Sequence, residues 1–327
     1  MWPESPSEGC FVSPRKVAVL GTRYADLGIE EEILGPLDVT LALGDGGSPD
    51  EILAVASDAE VVLCGSRPKF DAEVLAGLSC RGIVRYGIGV DTIDLQAARD
   101  RGIAVARVSD YGTEAVAFSA VSMAMALFRR LPEADAALRG GAWGVAGLRP
   151  MHLPSASVAG VVGYGRIGRQ AAGYLRGLGF TVVAHDEYVD VPAEDGVTSV
   201  SLDELLERSD VVTLHAPGDP SGRPLLDADR LGRMKPGSVL VNTARGSLVD
   251  LPALLDALAA GRPRFAALDV FPTEPVDPSV FGPVADRVLL TPHVAWYTDE
   301  SEADMRRKAA AEAARLLRGE PLREPVV

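Results

Sequence analysis

The chain has 327 residues, with 32 Lys and Arg against 46 Asp and Glu, a formal net charge of −14. This acidic balance argues against a nucleic-acid binder, because neutralising phosphates needs a basic face. Apolar residues at 47% and charged residues at 24% are too hydrophobic a mixture for a disordered chain, and the length suits two domains with separate cores.

Three cysteines (Cys10, Cys64, Cys80) form no CxxC pair, so neither a disulfide framework nor a structural zinc site is expected. Four histidines limit metal chemistry further, and no metal is expected. The first residues, Met1 to Pro6, have no basic region followed by an apolar one, so no signal peptide is expected. Their Pro, Ser and Gly content predicts a loose tail to about Pro14. No run reaches the ~18–20 apolar residues that span a bilayer. The reading is a soluble, cytoplasmic protein.

Short apolar runs alternate with helical patterns along nearly the whole chain, the signature of βαβ units and parallel sheets. Strands are predicted at Lys16–Gly21, Asp38–Leu43, Ala59–Gly65, Arg81–Tyr86 and Ile103–Val108, with helices at Glu51–Ala56 and Leu95–Arg101. A long apolar helix follows from Thr113 to Arg130, ended near Pro132. The second series runs through strands Val158–Val162, Phe180–His185, Asp210–His215, Ser238–Asn242, Phe265–Val270 and Val288–Leu290. Ser201-Leu202-Asp203-Glu204 reads as a capping box and Asp250 as a helix cap. A last helix covers Ser301–Leu317. The fold class is α/β, with two doubly wound sheets.

Gly163-Tyr164-Gly165-Arg166-Ile167-Gly168 is the sharpest motif. It follows an apolar strand, opens a helix, and precedes a strand ending in Asp186, the context a dinucleotide-binding turn requires. Gly163 permits the tight turn, Gly165 lets backbone approach a pyrophosphate, and Gly168 allows close helix–strand packing. The helix N-terminus offers the anion free N–H groups. A carboxylate at Asp186, followed by Glu187 rather than Arg, suits ribose hydroxyls and repels a 2′-phosphate, so NAD is favoured over NADP.

Three more strand ends carry chemistry. Asn242-Thr243-Ala244-Arg245-Gly246, Asp269-Val270-Phe271-Pro272-Thr273-Glu274-Pro275 and Thr291-Pro292-His293 put Arg245, Glu274 and His293 where open parallel sheets bind ligands. With the glycine motif and Arg85-Tyr86-Gly87-Ile88-Gly89-Val90-Asp91, these segments resemble the NAD-dependent D-2-hydroxyacid dehydrogenases over nearly the whole chain. Tyr111-Gly112-Thr113-Glu114-Ala115-Val116-Ala117 and His293-Val294-Ala295-Trp296-Tyr297 resemble the C-terminal-binding-protein branch, beside the phosphoglycerate dehydrogenase branch.

The resemblance implies a flavodoxin-like substrate domain (1–112 plus 295–327) interrupted by an inserted NAD-binding Rossmann domain (113–294). It implies hydride transfer between nicotinamide and a small D-2-hydroxy acid or 2-oxo acid, a CH–OH oxidoreductase. Arg245 would clamp the substrate carboxylate through its planar fork. His293 would be general acid and base, and Glu274 would hold its other nitrogen and stabilise imidazolium.

Cofactor contacts would come from the glycine turn, Asp186, His215-Ala216-Pro217, Thr243, Ala244, Arg245, Asp269 beside the carboxamide, His293 and Thr113. Substrate contacts would come from Ser66, Arg67, Arg85, Gly87, Ile88, Gly89, Arg245 and Trp296, which resembles a tryptophan set against an apolar substrate tail. Many phosphoglycerate-type members have arginine aligned with Gly65, so this chain departs from them there. Arg67, Lys69 and Arg85 are left to receive a second anionic group.

An NAD(H)-sensing corepressor-like interaction protein and a phosphite-type dehydrogenase are alternatives on the same scaffold. Glutamate rather than glutamine at 274 disfavours formate. The apolar run Ala115–Phe128 is hard to bury in one domain, and family members pair through their nucleotide domains, so a homodimer is expected. Hinges are expected near Tyr111–Gly112 and His293–Tyr297, and no regulatory domain is expected beyond Val327.

Overall fold

Near-continuous runs of β-branched and aliphatic residues can be buried on both faces only in a parallel sheet covered by helices, and the computed structural model is built this way. It describes residues 15–22, 24, 26–219 and 221–327; Cys10 and the predicted tail to Pro14 lie outside the described residues. The first elements are β1 (Arg15–Leu20), α1 (Gly28–Leu34), β2 (Val39–Gly44), α2 (Pro49–Ala56), β3 (Val61–Cys64), α3 (Ala72–Ala76), β4 (Gly82–Arg85), α4 (Leu95–Asp100) and β5 (Ala104–Arg107). There follow α5 (Thr113–Phe128), α6 (Leu131–Arg139), β6 (Val158–Val162), α7 (Arg166–Gly177), β7 (Thr181–His185), β8 (Thr198–Ser199), α8 (Leu202–Arg208) and β9 (Val211–Leu214). The series closes with α9 (Ala228–Arg233), β10 (Val239–Asn242), α10 (Leu251–Ala260), β11 (Phe265–Leu268), β12 (Val288–Leu290) and α11 (Asp299–Arg318).

The chain divides into two compact units: one runs to Tyr111 and resumes at Thr298–Val327, the other is Gly112–Tyr297. The sequence reading put the boundaries after 112 and 294. Unit 1 holds a five-stranded parallel sheet of order β2-β1-β3-β4-β5, the flavodoxin-like order. Its last helix, α11, packs against α1, β3 and β4. A capping box opens α11: Thr298 accepts from Ser301 N, and Ser301 Oγ accepts from Thr298 N. The segment after it returns to β5, where Val326 N donates to Val105 O and Val105 N to Val327 O.

Unit 2 holds seven parallel strands in the order β12-β11-β10-β9-β6-β7-β8, the doubly wound order whose switch point lies between β6 and β9. Strands β9, β10 and β11 are buried along their whole length. Side-chain caps start α8 (Ser201) and α10 (Asp250).

Two expectations fail for physical reasons. Pro132 does not end the long helix: α5 stops at Phe128, Arg130 turns left-handed (φ 53°), and Pro132 sits in the first turn of α6, where its missing N–H costs nothing. The apolar run is not hard to bury either. Val116, Val121, Met123 and Leu127 are buried within unit 2, where α5 lies against α7, β10 and β11. Within the run Phe118 is exposed (63%), and further exposed apolar side chains follow at Leu131, Leu138, Trp143, Val145 and Leu153, with Trp143 93% exposed.

Candidate active site

In unit 2 the strands β6, β9, β10 and β11 stand side by side, so their carboxyl ends form one edge. At β6 the glycine motif is sterically compelled. Gly163 has φ +90°, and a Cβ there would stand 2.6 Å from the His215 carbonyl carbon. A Cβ on Gly168 would collide with the Gly163 carbonyl. Gly165, the N-cap of α7, faces open space and provides no side-chain cap. The first N–H groups of this twelve-residue helix therefore lack a side-chain partner of the capping kind, as an anion site requires. Ile167 packs on the core beneath.

Asp186 follows β7, and its carboxylate accepts from Tyr164 N (2.6 Å), Tyr188 N (2.8 Å) and Val189 N (2.9 Å). Fixed by three amides, it retains acceptor capacity for hydroxyl groups. The Tyr164 ring is buried, and its hydroxyl donates to Asp195 Oδ2 at 2.9 Å. Burial, and then Asp195, push that phenol up to about 12. His215 ends the β9 segment, its N donating to Val162 O and its Nε2 lying 3.0 Å from Thr213 Oγ1. Burial pushes its imidazole down to about 4, so it is neutral at pH 7.

At β10, Asn242 is fully buried and buckles the next loop: its Oδ1 accepts from Ala244 N and its Nδ2 donates to Arg245 O. Arg245 donates to Ala244 O through Nη1. A Cβ on Gly246 would collide with the Phe271–Pro272 backbone, so the Arg245 loop lies directly against the Glu274 loop. Thr243 is buried, and its hydroxyl has no partner among the described residues. An orphaned hydroxyl, an uncapped helix start and a preorganised carboxylate at one edge are what a dinucleotide would satisfy, so the residues fit that group.

Glu274 and His293 are brought together. Glu274 Oε2 lies 2.7 Å from His293 Nδ1, and Glu274 Oε1 accepts from Phe271 N at 3.0 Å. Both side chains are partly exposed (37% and 46%). His293 is left-handed, with φ 55°. Trp296 donates its indole N–H to the His293 carbonyl (3.1 Å) and packs edge-on against Tyr297. Asp269 is buried, and its carboxylate accepts from Thr291, Val294 and Ala295. Sequence reasoning missed this last role and that of Asn242. The one available signal was a polar residue that closes an otherwise apolar strand (Asn242) or directly follows one (Asp269).

The remaining predicted residues divide between the units. Thr113 opens α5 in unit 2, while Ser66, Arg67, Arg85 and Gly87–Gly89 lie in unit 1, after β3 and around the end of β4. Arg67 is held in a bidentate pair by Asp45 (3.0 and 3.1 Å). Gly87 has φ +128°, and a Cβ there would run into the Arg85 guanidinium. Arg85 Nε is buried without a partner among the described residues.

This is a two-unit α/β protein with a dinucleotide-binding unit, and comparison with known proteins refines the class. Residues 121–295 match the family model "D-isomer specific 2-hydroxyacid dehydrogenase, NAD binding domain". D-3-phosphoglycerate dehydrogenase of Mycobacterium tuberculosis is 39% identical over 275 residues, 83% of this chain and 52% of that protein; the chain thus spans about half the length of the curated relatives it matches. The apo-structure of Escherichia coli D-lactate dehydrogenase superposes with a TM-score of 0.84 at 29% identity, covering 95% of this chain and 100% of that one. Aquifex aeolicus D-lactate dehydrogenase, complexed with NAD and lactic acid, gives 0.83 at 27% identity, covering 93% and 96%. The chain belongs to the D-isomer specific 2-hydroxyacid dehydrogenase family. The dinucleotide of its binding domain is NAD.

Proposed function

We propose that the chain is an NAD-dependent dehydrogenase interconverting a small D-2-hydroxy acid and its 2-oxo acid, with Arg245, Glu274 and His293 as catalytic residues. The observation that carries this reading is the 2.7 Å contact between His293 Nδ1 and a Glu274 carboxylate itself fixed by Phe271 N. NAD, when bound, supplies or accepts the hydride. Arg245 pairs its guanidinium with the substrate carboxylate. His293, held at Nδ1, gives a proton from Nε2 to the carbonyl oxygen in reduction and takes it back from the hydroxyl in oxidation. Glu274 fixes the ring and favours the imidazolium formed in the oxidation direction. The glycine turn Gly163–Gly168, Asp186, His215–Pro217, Thr243, Ala244, Asp269 and Thr113 make up the cofactor side.

In unit 1, Gly87–Gly89 and Arg85 are assigned to the substrate, with Trp296 of unit 2 offering a ring face. Arg67, taken by Asp45, is dropped from that role. The curated relatives are named for 3-phosphoglycerate, but a Cβ at Gly65 would collide with the Gly21 carbonyl, so no arginine fits there. An unphosphorylated acid is therefore favoured.

A homodimer is supported by the exposed apolar side chains of Phe118 on α5 and of Leu131, Leu138, Trp143, Val145 and Leu153. A cytoplasmic setting is supported by the buried free thiols of Cys64 and Cys80. Among the described residues no single helix is long and apolar enough to cross a membrane.

The test is NADH oxidation with a panel of 2-oxo acids, phosphorylated and not. Turnover is expected on an unphosphorylated acid. His293→Asn should cut kcat roughly 10²–10⁴-fold and leave NADH affinity nearly unchanged. NADH binding without turnover on any acid would sink the enzyme reading.

A further inference from the structure

Asp269 poses a question that the proposed chemistry leaves open. It is a buried carboxylate directly after β11, and its partners are neutral donors. Its Oδ1 accepts from Thr291 Oγ1 (2.6 Å) and Val294 N (2.9 Å), and its Oδ2 accepts from Ala295 N (2.9 Å). Its own carbonyl accepts from His293 N (2.9 Å), and its N donates to Asn242 O (3.0 Å), continuing the β10–β11 ladder by one residue. Four of these five bonds go to residues 291–295, on both sides of His293 and to His293 itself.

His293 is the residue that most needs such a hold. A non-glycine residue at φ 55° is in a disfavoured conformation that persists only where its surroundings over-determine it. Here the amide before the turn, the two amides after it and the Thr291 hydroxyl all converge on one residue. The imidazole is fixed at its other end by Glu274, which is anchored on Phe271 N. Glu274 and Asp269 are the ionisable groups these contacts set against the loop. With backbone and Nδ1 both fixed, little freedom remains in where Nε2 points.

We propose that Asp269 is the positioning residue of His293: its carboxylate ties the 291–295 turn to the end of β11 and so sets the direction of the proton-transferring nitrogen. The inference rests on the reading of His293 as the acid–base group. Asparagine cannot replace the carboxylate here, because it offers one acceptor oxygen where two are used and turns an NH₂ toward a donor. Proton transfer with the dinucleotide bound is what suffers.

The experiment compares wild type, Asp269→Asn and Thr291→Val in kcat, KM and NADH affinity by fluorescence titration. Asp269→Asn is expected to lower kcat at saturating NADH on the order of 10²-fold, beyond any weakening of NADH binding that follows from its place on the cofactor side. The loss should fall on kcat and leave KM for the acid within a few-fold, because Arg245 still holds the substrate carboxylate while the imidazole is misdirected. Thr291→Val, which removes one donor and leaves the charge, should act in the same direction by about tenfold or less, and it carries the test if Asp269→Asn does not fold. A loss confined to NADH affinity, with kcat at saturating NADH unchanged, would overturn the proposal and leave Asp269 a cofactor contact alone. An unchanged kcat in either folded variant would overturn it outright. If His293→Asn retains full activity, the acid–base reading itself fails, a result that neither of the other variants can produce.

Discussion

Two close carboxylate–base pairs, one in each unit, are built for different ends. In unit 1, Glu30 on α1 is fully buried and takes two bonds from Arg306 on α11, at 3.1 and 2.7 Å, and a third from the Tyr86 hydroxyl. Arg306 also stacks over Tyr24, 4.4 Å from its ring centroid. Burial, and then Glu30, hold the Tyr86 phenol well above its ordinary value, so it stays a donor. In unit 2, Glu274 and His293 meet at a partly exposed strand end and leave Nε2 facing outward from the pair. Both carboxylate oxygens are taken in the first pair, whereas one ring nitrogen is held ready in the second. Buried and saturated, a pair serves assembly; open at one atom, it serves chemistry.

Substitution should separate the two. Glu30→Gln leaves a buried guanidinium uncompensated and is expected to cost about 3–5 kcal/mol of unfolding free energy, read by urea denaturation. Glu274→Gln, at a partly exposed site, should change stability by no more than ~1 kcal/mol while lowering kcat on the order of 10²-fold. Equal stability losses in the two variants would erase the distinction.

A smaller effect is set by His215. Its folded state refuses a proton until about pH 4, whereas the unfolded chain takes one near 6.5, so the unfolded state binds more protons in between and stability falls as pH falls. Between pH 6.5 and 5 the loss from this group is up to about 2 kcal/mol, and His215→Asn should flatten that part of the curve. The smallest effect, and the most diagnostic in sign, belongs to Thr243→Val. Removing an orphaned buried hydroxyl should raise the stability of the ligand-free protein by up to ~1 kcal/mol and weaken NADH binding a few-fold. A gain in stability with unchanged affinity would show that the hydroxyl has no ligand to meet.

Much of this was legible in the chain because the fold uses local rules. Val158–Val162 and Val288–Leu290 fall where apolar runs put them, and Asp250 caps α10 as its spacing predicts. Short or unusual elements were not legible. The two-residue β8 has no pattern to read, and the break at Arg130 is a single left-handed residue whose side chain is held by Glu133, three positions on, and by the more distant carbonyls of Gly147 and Arg149. Glu274 and His293 were readable at strand ends from the residues, and as a pair from the family resemblance. Asp269's grip on residues 291–295 was not, since which donors a carboxylate meets depends on the register of β11 with its neighbours. Likewise, that Arg67 is already occupied is decided by Asp45, twenty-two positions away.

The insertion of one unit within the other also bears on how the protein is made. During synthesis the whole of Gly112–Tyr297 is made before Arg306 exists to meet Glu30, or Val326 to reach Val105. The later half of the sequence can therefore reach its native state first. The earlier half must wait, with α1 and the rim of its sheet uncovered, for the final thirty residues.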